Sequence, residues 1–197
     1  MRNGKFTARR TSGAKVFTLI LALALTVGCV VGGTVAWLTA QSGTVTNAFT
    51  VGDINISLAE TTGTSYKVVP GATQAKDPTV TVASGSEKCY VYVKVTNDLV
   101  IGSDTVATVN IDSTNWVVVS TSGNTTLYRY KEVVDALSAA QTLPVFTQVS
   151  YDGDKILKSN IETLDGKTIV VQAYAHQSGN TTQANADTVA KDWAGIK

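Results

Sequence analysis

Among 197 residues the chain has one imidazole, His176, and two thiols, Cys29 and Cys89. Zinc and related metals are held by clustered Cys and His, so no His-rich or Cys-rich metal site can be assembled. A Ser-His-Asp relay would have to use His176. That residue ends the strand-like run Thr168–His176 with no second His or Cys to share a metal, which favours a surface or strand-end imidazole. Asp152-Gly153-Asp154 resembles part of an oxygen-ligand calcium loop, but the spaced acids and closing Glu of an EF-hand are missing. A solvated turn, for which Asp-Gly is a common signal, is favoured there. HExxH, GxGxxG, P-loop, GxSxG and CxxC patterns are all absent. Carboxylate-only chemistry stays open, but our expectation is a protein that is not an enzyme and uses no cofactor or metal. Asn55-Ile56-Ser57, Asn124-Thr125-Thr126 and Asn180-Thr181-Thr182 match the glycosylation pattern, a short and common motif that carries little weight.

The charges are unevenly spread. Residues 1–36 carry Arg2, Lys5, Arg9, Arg10 and Lys15 and no acid, which leaves residues 37–197 with 11 bases against 15 acids, a net of −4. Phosphate backbones are held by clustered Lys and Arg, so nucleic acid is not an expected partner.

The basic opening is followed by the uncharged run Val16–Val31 and then Gly32-Gly33-Thr34-Val35-Ala36, the three-part layout of an export signal. As a helix the apolar run would be ~24 Å long, short of the about 30 Å of a bilayer core, so a removed signal is preferred to a permanent span. The small residues Thr34 and Ala36 place cleavage between Ala36 and Trp37, with cleavage after Ala40 second because it puts bulky Leu38 three residues upstream. Arg9-Arg10 lacks the apolar residue that follows a twin-arginine signal. Val27-Gly28-Cys29 has Thr26 where a lipobox carries Leu, so Cys29 reads as one more apolar residue.

Cleavage at this point leaves Cys89 without a disulfide partner. In Cys89–Thr96 strict alternation puts Cys89, Val91, Val93 and Val95 on one face, where the thiol is expected to be a small buried hydrophobe. Residues 37–197 contain 24 Thr and 22 Val, and β-branched side chains favour extended backbone, so the body is expected to be all-β. Strand-like runs fall at Asp53–Leu58, Thr79–Val82, Cys89–Thr96, Val106–Ile111, Asn115–Ser120, Thr126–Tyr130, Pro144–Tyr151 and Thr168–His176. Turn-like pieces separate them, as at Pro70-Gly71, Ala83–Ser86, Ser122-Gly123-Asn124 and Asp165-Gly166. That number and spacing suits a two-sheet antiparallel sandwich. Lys131–Ala140 reads equally as helix or as a long connection. Ala186, Val189, Ala190 and Trp193 fall on one helical face, which predicts a short C-terminal helix docking Trp193 on the sheets.

We divide the chain into a signal peptide (1–36), an N-terminal strand segment (37–52) and a β-sandwich domain (53–197). The segment Trp37–Gly52 is uncharged, strand-like and carries Trp37, Leu38, Val45 and Phe49 among Thr, Ser and Gly. An unpaired extended strand is a template for joining another chain, whereas pairing at the edge of its own sheet is an equally good account of the sequence.

Gly32–Thr39, then Thr46–Leu58, Val69-Pro70-Gly71, Lys76-Asp77-Pro78 and Cys89–Val95 together resemble the TasA/camelysin family of Gram-positive exported proteins. Tyr128–Lys131, Leu143–Phe146 and Gln172–Ala175 extend the likeness into the C-terminal third. The resemblance implies processing by a SipW-type signal peptidase, a jelly-roll sandwich, and a membrane-bound state only for the precursor. It further implies secretion to the extracellular matrix or cell surface and assembly into biofilm-matrix fibres. In those fibres the N-terminal strand, here Trp37, Leu38, Val45 and Phe49, completes the sheet of another copy or a paralogue. The camelysin branch carries a metallopeptidase label, and a monomeric adhesin is a third reading. With no HExxH and only His176, the peptidase activity is not carried over. The long basic stretch ahead of the apolar run is unusual for the family, and we assign it no role beyond orientation in the membrane.

Overall fold

The computed structural model divides the chain into two units, residues 1–49 and 50–197. It describes residues 53–63 and 65–196, together with Gly13, Phe17, Thr18, Ile20 and Leu21 of the first unit, which are helical. Phe17, Ile20 and Leu21 are exposed. Among the described residues no helix is long and apolar enough to cross a membrane. The cleavage site Ala36–Trp37 and the segment holding Trp37, Leu38, Val45 and Phe49 lie outside the described residues.

The second unit is built of antiparallel β-sheets with one α-helix. Its elements are β1 (Ile56–Ala59), β2 (Thr73–Ala75), β3 (Thr79–Val82), β4 (Cys89–Asn97), β5 (Val100–Ile101), β6 (Asp104–Thr105), β7 (Ala107–Ile111), β8 (Trp116–Ser122), β9 (Thr125–Tyr130), β10 (Gln141–Pro144), β11 (Phe146–Tyr151) and β12 (Ile169–Gln177). A 3-10 turn at Ile161–Leu164 precedes β12, and α1 (Gln183–Ala194) follows it.

One sheet has the order β12-β4-β9-β8. The other is assembled from β1-β3-β10 and β2-β11-β7, which are two halves of one ladder. Ser150 opposes Thr73 at one end and Gln141 opposes Val82 at the other, in the same register. Lys76 N–H to Thr147 O and Val145 N–H to Pro78 O, both 2.9 Å, carry that register across the break. The interruption falls at Pro78, which has no N–H to donate. This second sheet thus reads β1, β2/β3, β10/β11, β7.

Period-2 alternation explains how the two sheets share a core. Cys89, Val91 and Val93 are fully buried and Val95 is nearly so, as the alternation predicts, and they meet Val80, Val82, Leu143, Phe146 and Val149 of the other sheet. Each fully buried Val contributes roughly 1.5–3 kcal/mol, so the Val91, Val93 and Val95 row is worth as much as the net stability of many small domains. A one-residue slip of β4 would turn that row outward, and this fixes its register. Trp116 fastens the two sheets: it is buried, lies edge-on to Tyr130 at 5.2 Å, and donates from Nε1 to the Pro144 carbonyl at 2.8 Å.

The predicted C-terminal helix is present. Thr182 caps its start by accepting from Asn185 N–H (3.3 Å), and Gly195 ends it at φ 71°, a left-handed conformation suited to glycine. Ala186 and Ala190 are buried and Trp193 stacks on Tyr174 at 5.1 Å, but Val189 is exposed, so the contact stripe is narrower than its spacing implies. Residues 131–140, read as helix or connection, form a connection held to β4 by the Cys89–Val134 bridge.

Candidate functional site

The residues singled out for chemistry do not converge. His176 sits on β12, its Nδ1 within 2.8 Å of the Gln177 carbonyl, and lies edge-on to Tyr174. Asp152 Oδ1 accepts from the N–H groups of Lys155 and Asp154 at 2.9 Å each, and the Lys155 bond first of all holds its carboxyl below the usual range. This is a turn satisfied by its own backbone, with carboxylate capacity spent on N–H donors rather than aimed at a cation. Among the described residues no group of three or more His, Cys, Asp or Glu could hold a metal ion. Cys89 is a free, fully buried thiol whose burial pushes its pKa up to about 11, the opposite of what a nucleophile needs.

A polar constellation that sequence reading missed lies between α1 and the sheet beneath it. Tyr92 is fully buried and donates to Asp187 Oδ1 at 2.8 Å. Arg129, also buried, gives both Tyr130 O and Lys131 O a hydrogen bond of 3.2 Å from Nη1. Its Nε lies 3.1 Å from Asp187 Oδ1, but the N–H is not aligned on that oxygen, so the contact is an ion pair without a hydrogen bond there. Each member contacts protein groups on the helix or sheet, and the arrangement anchors α1. The signal in sequence was an Arg and a Tyr on strands otherwise rich in Val and Thr; nothing local tied them to Asp187, 95 residues after Tyr92.

The feature with capacity to bind is an open sheet edge. Among the described residues β7 is the last strand of its sheet, while the facing sheet continues from β9 to β8. Val118 of β8 lies opposite Tyr128 of β9 and shares its face; Tyr128 packs on the core, yet Val118 is 62% exposed. Among the described residues, the inner face of the β12-β4-β9-β8 sheet therefore runs on beyond β7 with no strand above it. A cleft of about 340 Å³ opens there, lined by β7 (Ala107, Thr108, Val109), β4 (Val95, Asn97) and β9 (Thr126, Tyr128) together with the Gly123-Asn124 turn.

The backbone of β7 can be assigned group by group. Asp152 N–H donates to Val106 O and Asp112 N–H to Val145 O, and ladder pairs alternate in an antiparallel sheet. Thr108 and Asn110 consequently direct their N–H and C=O groups at β11, and Ala107, Val109 and Ile111 direct theirs away from it. The Ala107 carbonyl is taken by Asn97 Nδ2 at 2.8 Å. The groups of Val109 and Ile111 face the open side. Their side chains are partly buried against the core, whereas those of Thr108 and Asn110 are exposed.

The two ends of the domain differ. Asp53 and Asn55 lie at the Cys89 end of β4, where Asp53 O accepts from Glu87 N–H (3.0 Å) and Asn55 O from Ala83 N–H (2.9 Å). The cleft lies at the Asn97 end, where Asn97 N–H meets Asn124 O at 2.9 Å. Searches against family models, curated proteins and solved structures return no match to this chain.

Proposed function

We propose that this protein is an exported, non-enzymatic jelly-roll sandwich of the TasA/camelysin type, which builds extracellular or biofilm-matrix fibres by lending its N-terminal strand to another copy or to a paralogue. The observation that carries the reading is the edge of β7, unpaired among the described residues, beside the exposed Val118 on the inner face of β8. An extended strand satisfies its own N–H and C=O groups by adding to such an edge while its alternate side chains enter the cleft. The jelly-roll assignment is supported by the pairings β12-β4-β9 and β2/β3-β10/β11-β7, in which strands distant in sequence alternate between two sheets. A SipW-type peptidase cutting after Ala36 would free Trp37 and so release the strand, making export the switch for assembly. Head-to-tail addition does not close, so it yields filaments rather than dimers.

Electron microscopy of the exported protein over time tests this: filaments are expected, and a chain lacking residues 37–48 should stay folded and fail to elongate. A protein that stays monomeric under every condition, or that hydrolyses peptides until a chelator is added, would overturn the reading.

A further inference from the structure

A second opening lies at the other edge of the sandwich, between the two sheets on the β2 and β12 side. β2 pairs only with β11 among the described residues, so β2 and β7 flank β11 from opposite sides. A cavity of about 160 Å³ opens beside β2, floored by Val68, Leu99, Val149 and Ile169. Leu99 and Val149 are buried, and Val68 and Ile169 pack against the core partly buried. Gln74 opposes Val149 in the ladder, so alternation turns Gln74 and Lys76 inward and places polar groups beside this apolar floor.

Some of the polar groups around the floor are engaged and some are free. Lys76 is engaged: its Nζ lies 2.7 Å from Glu60 Oε1, donates to Gly63 O at 3.2 Å and sits 3.9 Å from the centre of the Tyr66 ring. The Tyr66 hydroxyl is engaged with Gly63 O and Thr62 Oγ1. Tyr151 differs. It is only 9% exposed, a degree of burial at which a phenol normally has a partner, yet its hydroxyl has none among the described residues. That oxygen is not sealed in either, since Arg129 Nε is the one buried side-chain polar atom without a hydrogen bond among them; it opens on the cavity that its ring lines. Burial first of all raises the pKa of this hydroxyl and Lys76 opposes the rise, so it is a neutral donor at pH 7 within the field of the ammonium. Lys167, exposed at the rim, has neither an ion pair nor a side-chain hydrogen bond among the described residues.

We propose that this cavity binds a small organic carboxylate with a single-ring apolar body, the ring resting on Val68, Leu99, Val149 and Ile169 and the carboxylate accepting from Tyr151 Oη and Lys167 Nζ. Two lysines line the cavity and, among the described residues, no carboxylate does, which favours an anion over a cation. The two free donors match the two oxygens of a carboxylate, and hydrogen bonds to a charged acceptor are the strong ones. A bare inorganic anion would leave the apolar floor unused. An apolar cavity of ~150 Å³ takes a benzene-sized group, which limits the body to about one ring. The site lies at the edge opposite β7 and does not depend on the fibre reading.

Saturation-transfer NMR with sodium benzoate as the probe tests this on the exported protein, because it reads weak binding whatever the state of assembly. Benzoate should bind saturably. Benzyl alcohol, which keeps the ring and lacks the charge, should bind roughly tenfold more weakly, and an equal concentration of inorganic phosphate should not displace benzoate. Tyr151→Phe should weaken binding about tenfold without lowering the melting temperature, since the hydroxyl it removes has no partner in the fold. Lys167→Gln should weaken binding about threefold, as befits an exposed charge, and Lys158→Gln, an exposed lysine that does not line the cavity, should change nothing. No saturable transfer at millimolar benzoate overturns the site. Equal binding of benzyl alcohol, or displacement by phosphate, overturns the ligand class. Unchanged binding by Tyr151→Phe, a lower melting temperature of that variant, or equal effects of Lys158→Gln and Lys167→Gln overturn the placement of the carboxylate.

Discussion

Cys89 allows a quantitative check on the face assignment of β4. The thiol is fully buried and burial lifts its pKa from 9.0 to about 11. At pH 8 an ordinary thiol of pKa 9.0 is ionised about one part in ten and this one about one in a thousand, so ionisation alone slows labelling ~100-fold; closure of the core slows it further. The same shift is a stability statement. The folded-state pKa lies above the unfolded one for a group whose charged form is the thiolate. Its contribution is therefore fully present below pH 9 and is lost as pH rises toward 11. By pH 11 the loss is ~2 kcal/mol. Cys89→Ala, which removes the thiol, costs ~1 kcal/mol at pH 7 through lost packing. Subtracting one from the other cancels the Tyr and Lys titrations, so the variant should be less stable than the parent at neutral pH and more stable by ~1 kcal/mol near pH 11. Urea unfolding of both proteins at a series of pH values, in a background with Cys29 replaced by Ala, measures the crossover. A difference that does not change with pH, or labelling of the folded protein at the rate of a free thiol, would refute the burial of this face.

Three further outcomes are expected. Asp187→Ala should destabilise by ~2–3 kcal/mol, below the usual cost of breaking a buried pair because Asp187 is partly exposed and the Arg129 Nε contact is misaligned. Tyr92→Phe should cost ~1 kcal/mol, and hydrogen exchange should rise first in α1; equal loosening of the whole domain would show that the anchor is not local. N-terminal sequencing of the exported protein should begin at Trp37, and a mature form that retains Leu19–Leu25 would sink both the processing and the strand-release proposals.

Local alternation was enough to recover most of the strands, because a side chain's face is decided by its own chain period once one side is dry. Thr79–Val82 is matched at both ends, and Cys89–Val95 is buried on the predicted face. Turns were legible for a related reason: Gly71, Gly85, Gly123 and Gly166 occupy positive φ, which other residues adopt only at a steric cost. The run Pro144–Tyr151 matches β11 and takes in only the last residue of β10, whose break from β11 falls where the neighbouring ladder loses a donor at Pro78, more than sixty positions away. Tyr92 faces away from the core row and is buried all the same, because α1 covers the second side of its sheet. The short strands β2, β5 and β6 carry too few residues for any period to register. That β7 ends its sheet while β8 extends the facing one is a property of pairing between strands distant in sequence. Alternation assigns a residue to a face but says nothing about which strand lies beside it, so the free edge on which the proposed function depends could be seen only once the tertiary structure had chosen the neighbours.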